Sequence, residues 1–280
     1  ITFSGGALGV ASDGTLAAVG NAGAPIVLKA ASGAPGGWQG VSLTNSKNDN
    51  RLSYVTVQYG GENPNNVTGV NVVGSKISVE HCIIRESRGS GMKVDVNSEI
   101  ALFSSNTITG NKDNPLDIDA NLVGSLDAAS KFIGNTIDLI GVTGTSIGSA
   151  QTWQALDVPY EIQKEITVTS DLTWTPGVNM VIGSGNRITV ATAGKLIANG
   201  TAASPIRLSG KEPTRGFWDG LVIDKAKGNQ LSYVTIEHGG ADINNTVLGN
   251  LTVIGDAASV AEVSISHCTL KNGKLYGLNI

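Results

Sequence analysis

Two stretches of this chain are copies of each other. GTLAAVGNAGAPIVLKA (14–30) matches GKLIANGTAASPIRLSG (194–210), and Gly14 on Gly194, Pro25 on Pro205 and Trp38 on Trp218 all lie at an offset of 180. NRLSYVTVQYGG (50–61) matches NQLSYVTIEHGG (229–240) at an offset of 179. ISVEHCIIRESRGSGMKV (77–94) matches VSISHCTLKNGKLYGLNI (263–280) at an offset of 186. The drift in offset places small insertions in loops. Residues 1–94 and 181–280 are therefore two copies of one unit, with a less regular segment, 95–180, between them. A chain built this way buries its apolar surface by stacking like parts on like parts.

A shorter rhythm runs inside each copy. LSYVTVQ, EHCIIRE, SSNTITG and IGNTIDL align with Val55, Cys82, Asn106 and Asn135 as matching positions, at spacings of 27, 24 and 29. In the second copy Val234 and Cys268 match, 34 apart. A further strand follows each one: TGVNVVG, SGMKVDV, NPLDIDA, LGNLTVI and YGLNI. Several short strands per coil, bent at Gly, Asn and Ser corners, predict an all-β parallel β-helix of roughly eleven or twelve coils. The composition agrees, with aromatics at 5% and 37 glycines beside abundant Val, Ile, Leu and Thr. A β-sandwich would not repeat like corners at coil length.

The narrow interior of such a coil favours small apolar side chains. Cys82 and Cys268, 186 residues apart, read as buried structural thiols rather than a disulfide framework. Asn106 and Asn135, at one corner of successive coils, are expected to stack their amides. Trp38 and Trp218 sit at a coil entry, each followed two residues later by Gly40 or Gly220. The sequence expects those rings to be too large for the interior and to lie across the preceding loop or the next coil. Exposed sugar-stacking platforms are the alternative.

With LTWTPGVNMVI, GKLIANGTAASPIRL, GFWDGLVI and NQLSYVTIEHGG in place, the chain resembles bacterial secreted or surface right-handed parallel β-helix proteins of the pectin-lyase-like superfamily. The resemblance spans nearly the whole chain and is weakest over 95–180. It implies a right-handed solenoid, and an extracellular or cell-surface location with a glycan or another surface component as partner. It leaves the activity open, since that superfamily includes lyases, hydrolases, esterases, phage fibre parts and non-catalytic surface proteins. The leading expectation is a non-enzymatic scaffold or display rod that could bind carbohydrate. A polysaccharide lyase or glycoside hydrolase is the rival, and a phage or surface fibre component the third reading.

The chain is expected to be a single β-helix over 1–280 and a fragment of a longer polypeptide. EITVTSDLTWTPGVNM (165–180) leads into the second copy and has no counterpart before the first, while the first continues past the point matching Ile280. A terminal cap is the competing account. Net charge is −4 and no dense Lys/Arg run occurs, which argues against a nucleic-acid surface. No apolar run approaches membrane-spanning length, and no leader peptide is visible.

Candidate chemistry concentrates on one strand position. In SGMKVDV, alternation puts Met92, Val94 and Val96 inward and Lys93 and Asp95 outward. In NPLDIDA, 24 residues later, Leu116 and Ile118 point inward and Asp117 and Asp119 outward. Lys93 should therefore stack on Asp117 and Asp95 on Asp119, with Asn71 extending the column. Such carboxylates could act as an acid/base pair or hold Ca²⁺, and Lys93 or Arg85 could serve a lyase. An exposed polar sheet face is the plainer reading, with no cofactor required. DIDAN (117–121) is not an EF-hand loop, because Leu122 and Ala128 stand where Gly and Glu are needed.

RESRGSGMK (85–93) is a local concentration of basic side chains, with Arg85 and Arg88 able to meet an acidic sugar or a phosphate. His81 and His267 each precede a cysteine. Adjacent strand residues face opposite ways, so neither pair should work as nucleophile and base. The segment 120–165 is expected either to wall the polar face or to interrupt the regular coil.

Overall fold

The computed structural model describes residues 1–62, 67–243 and 246–280. It divides into two compact units, residues 1–141 with 156–158 and residues 142–155 with 159–280. In each unit the chain visits three strand positions in rotation, and the strands at these positions pair in parallel from one turn to the next; Asp242–Ile243 and Thr246–Val247 form a separate antiparallel pair.

In the first unit, face one holds Ala7–Val10, Gly40–Thr44, Val70–Val73, Met92–Val94 and Leu116–Ile118. Face two holds Ala17–Val19, Asn50–Ser53, Lys76–Glu80 and Glu99–Ser104. Face three holds Thr2–Phe3, Ile26–Ala30, Val55–Gln58, Ile83–Arg85 and Thr107–Thr109. The second unit repeats the scheme. There face one runs from Ser146–Ile147 to Leu278–Asn279, face two from Gln151–Trp153 to Val263–Ser266, and face three from Tyr160–Ile162 to Thr269–Lys271. This is an all-β, three-faced parallel solenoid arrangement.

Period-2 alternation explains the core. On face one, Val41, Val70, Met92 and Leu116 share one inward column, and Leu43, Val72, Val94 and Ile118 share the next. All eight are essentially inaccessible to solvent. Branched side chains and Met92, stacked one sheet spacing apart, about 4.8 Å, fill this part of the interior.

Corners are made by single residues in the left-handed region. Tyr54 (φ 51°), His81 (φ 52°) and Ser105 (φ 54°) turn the chain from face two to face three, and Tyr233 (φ 51°) and His267 (φ 53°) do so in the second unit. Bulky residues resist this conformation. Ring stacking offsets part of the cost: Tyr54 lies 4.6 Å from His81 and Tyr233 4.5 Å from His267, both nearly coplanar. The histidines are thus exposed corner residues rather than strand residues.

Buried asparagines satisfy the backbone where the ladder breaks. Asn50 accepts from Leu16 N at 2.8 Å and donates to Lys76 O at 3.0 Å. Asn229, its counterpart, accepts from Leu196 N at 2.8 Å and donates to Glu262 O at 3.0 Å.

The expected Asn106–Asn135 stack is corrected. Asn106 accepts from Cys82 N at 2.9 Å and its own N–H donates to Ser130 Oγ at 2.9 Å. Asn135 belongs to a different corner, where its Oδ1 accepts from Asn111 N (3.1 Å) and Asn111 Nδ2 (2.9 Å). The true step is 24 in both columns; the likeness of SNTI to GNTI concealed a five-residue slip.

The segment after Ile118 interrupts the strand rhythm. Ala120–Ser125 forms a 3₁₀ turn, and Phe132 lies buried with its ring centroid 6.1 Å from that of Phe103. Its N–H donates to Asp157 Oδ1 at 3.1 Å.

The fold also buries large rings, contrary to the sequence expectation. Trp38, Trp153, Trp174 and Trp218 are all fully buried. Trp153 and Trp174 occupy the same column of face two, and Trp153 leans on Tyr160 at 5.3 Å.

Face three of the second unit is tied by charge. Glu237 is nearly buried, and it accepts from Arg207 Nη2 at 3.0 Å and pairs with Lys271 Nζ at 3.2 Å. Burial opposes its ionisation, but the Lys271 hydrogen bond and charge, with His238 and Arg207, hold its carboxyl below the usual range. A carboxyl depressed in the folded state stabilises above its unfolded pKa, about 4.3, and that contribution is lost as pH falls through the lower folded value. Glu237→Gln should therefore lower stability by about 1–2 kcal/mol at pH 7 and flatten the acid side of the stability profile. Urea denaturation of both proteins between pH 7 and pH 3 measures this; parallel profiles would refute it.

Candidate functional site

The polar column forms as the 24-residue spacing requires. Asn71, Lys93 and Asp117 are in register on adjacent strands of face one, with Ser42 preceding them. Each is flanked by inward residues, so its side chain leaves the opposite surface of the sheet.

Their surroundings differ from those of a reaction centre. Asp117 Oδ2 accepts from Ser90 Oγ at 2.6 Å, and Oδ1 accepts from Asn114 Nδ2 at 2.9 Å. Lys93 is exposed and, among the described residues, lies within 4.0 Å of no carboxylate. Asp95 is at a corner: its Oδ1 accepts from Gly74 N at 2.9 Å and from Ser98 Oγ at 2.6 Å. The strand ends at Val94, so Val96, expected inside, is 55% exposed.

Asp119 departs furthest from expectation. It is buried rather than outward, and its Oδ1 accepts from Asn121 N at 3.0 Å as N-cap of the 3₁₀ turn. Alternation sets the face only while a strand lasts, and here it ends at Ile118. The three carboxylates therefore do not converge. Among the described residues no group of three or more His, Cys, Asp or Glu is arranged to hold a metal ion, and Asp95, Asp117 and Asp119 form no such group.

The tryptophans are not platforms. Trp38 Nε1 donates to Gln58 O at 2.8 Å and its ring stacks on Phe3 at 4.2 Å. Trp218 Nε1 donates to Glu237 O at 2.9 Å. Gln58 and Glu237 are equivalent residues, each the last of a face-three strand before a left-handed corner at Tyr59 or His238. The indole therefore caps the carbonyl at which the next coil leaves its sheet.

Cys82 is buried, and burial pushes its thiol up to about 11. Its S–H lies 3.3 Å from Glu80 O, while His81 sits outside at the corner. Cys268 is half-buried and donates to Ser266 O at 3.2 Å. Burial therefore holds the Cys82 thiol in its protonated, unreactive form.

Arg85 and Arg88 are exposed beside face three. Arg85 Nη2 donates to Gln58 Oε1 at 3.3 Å and its Nε lies 3.9 Å from Glu86.

Asp219, within the WDGL stretch, was not singled out by sequence reasoning. Burial raises its carboxyl pKa and Glu165 adds to the effect, while Arg187 and Lys274 oppose it. Arg187 Nε itself donates to Glu165 Oε1 at 2.7 Å. The equivalent residue in the first copy is Gln39, so the repeat comparison offered no signal.

No helix among the described residues is long and apolar enough to cross a membrane. No protein-family model, curated protein or solved structure matches the chain.

Proposed function

We propose that this protein is a non-catalytic extracellular or cell-surface scaffold, a right-handed parallel β-helix of the pectin-lyase-like kind running as one solenoid through residues 1–280, with carbohydrate as its binding partner. One observation carries the reading. The carboxylates of the polar column are engaged by the fold's own donors: Asp117 by Ser90 and Asn114, Asp95 by Gly74 and Ser98, Asp119 by Asn121. Asp117 has both oxygens taken, Asp95 is held at a corner and Asp119 is buried as the cap of a 3₁₀ turn, so the three do not face one substrate as an acid/base pair must. Right-handedness is supported by the rule for parallel crossover connections.

A polysaccharide lyase or hydrolase is the second reading, and one feature favours it. Arg187 is hydrogen-bonded to Glu165 and its charge acts on Asp219, whose carboxyl pKa burial raises, so two carboxyl groups share one cationic neighbour. Incubation with a panel of neutral and acidic polysaccharides tests both. The scaffold reading expects no new reducing ends and no unsaturated products. Turnover abolished by Asp219→Asn would establish the second reading.

A further inference from the structure

The two copies differ at every position of one four-residue turn yet keep its two positive charges. Arg85-Glu86-Ser87-Arg88 in the first copy aligns with Lys271-Asn272-Gly273-Lys274 in the second. The first cation ends a face-three strand in each case. The next residue adopts the left-handed region, Glu86 at φ 56° and Asn272 at φ 53°. The second cation then hydrogen-bonds its backbone N–H to the preceding coil, Arg88 to Gly60 O at 3.0 Å and Lys274 to Gly239 O at 2.9 Å.

The second cation has a built seat. A Cβ placed on Gly36 would lie 3.0 Å from Arg88 Cδ, and one on Gly216 would lie 2.8 Å from Lys274 Cδ. Glycine at these equivalent positions leaves room for the alkyl stem, and the charged head stays outside. Packing alone would not demand charge at this place, since an apolar side chain would cover a glycine seat equally well. Arg and Lys share neither shape nor hydrogen-bond geometry, so what the copies retain is positive charge.

Neighbouring charges leave each turn a cationic surplus. In the first unit Lys29, on the same face, joins Arg85 and Arg88 against Glu86. In the second, Arg207 and Lys271 share nearly buried Glu237, Lys274 is offset in part by Asp219, on whose carboxyl its charge acts, and Arg215 adds a further cation with its Nε on Gly273 O at 2.8 Å. Among the described residues neither Arg88 nor Lys274 has a carboxylate within 4.0 Å. That surplus lies on a chain whose net charge is −4.

We propose that each unit carries one site for an acidic saccharide, with Arg85/Arg88 in the first unit and Lys271/Lys274 in the second gripping a carboxylate or sulfate group. This rests on the carbohydrate-binding half of the function proposed above. Two cations separated by a left-handed turn suit an oxyanion, which accepts hydrogen bonds from both. Binding at such exposed charges is weak and salt-sensitive.

Calorimetric titration of the full chain with a uronate, a sulfated and a neutral oligosaccharide of equal length tests the proposal. Binding of either acidic probe at about 50 mM salt, lost at about 500 mM, is expected, together with none of the neutral one. R85Q/R88Q should remove one of two sites, and adding K271Q/K274Q should weaken binding at least about tenfold. R85K/R88K should retain both sites, because lysine already fills the second turn. Melting curves confirm that the variants fold. Unchanged binding by the folded quadruple variant, or equal binding of the neutral probe, would overturn the proposal and leave the non-catalytic reading intact. Cleavage of a bound acidic probe would overturn that reading and leave the site standing.

Discussion

Trp218→Ala should destabilise the second unit by about 3–5 kcal/mol, and Trp38→Ala should do the same in the first. Each ring is fully buried, so its removal leaves an indole-sized void in a close-packed interior. Each also orphans a buried acceptor, Glu237 O or Gln58 O, which the indole N–H had satisfied. Trp→Phe separates the two contributions, since it keeps most of the volume and loses only the hydrogen bond; about 1–2 kcal/mol is expected. Urea denaturation followed by far-UV circular dichroism measures both without relying on tryptophan emission. Unchanged stability of W218A with loss of glycan binding would return the ring to the role of a sugar platform.

Gly220→Ala should be more disruptive than its one added methyl suggests. Gly220 has φ +107°, and a Cβ there would stand 2.2 Å from Gly249 O in the next coil. Gly40 repeats the arrangement at φ +94°, 2.4 Å from Gly69 O. The obstructing atom is backbone within a hydrogen-bonded stack and cannot rotate away. A loss of about 4 kcal/mol or more is expected. Gly185 is the control: its φ is +67°, but nothing lies within 4 Å of its would-be Cβ, so Gly185→Ala should cost only about 1–2 kcal/mol. Equal midpoints for the two alanine variants in urea would show that close approach of the coils is not what requires glycine.

The repeat made the architecture legible before any coordinates. The offset of 24 between Lys93 and Asp117 is the observed register, and Met92, Val94, Leu116 and Ile118 point inward as alternation requires. Legibility ended at corners. A single left-handed residue or a 3₁₀ turn resets which way the next side chain points, and neither has a strong sequence signature. That is why Val96 is outside, Asp119 is inside, and Asn135 stacks on Asn111 rather than on Asn106's column. Burial of the tryptophans was equally hidden, since their small apolar neighbours in sequence gave no sign that four indoles would be enclosed. The candidate site was legible as a row of positions but not as chemistry. Ser90, Asn114 and Ser98, the donors that occupy its carboxylates, lie in turns rather than in the column itself.

The scaffold account is tested most directly by comparing wild type with D117A/D119A in one experiment that reads both stability and polysaccharide turnover. The wild type should leave every polysaccharide intact. The variant should unfold about 2–3 kcal/mol more easily, because it loses the Asp117 hydrogen bonds and the Asp119 cap. Turnover of any polysaccharide by the wild type, whether or not the variant retains it, would contradict the account.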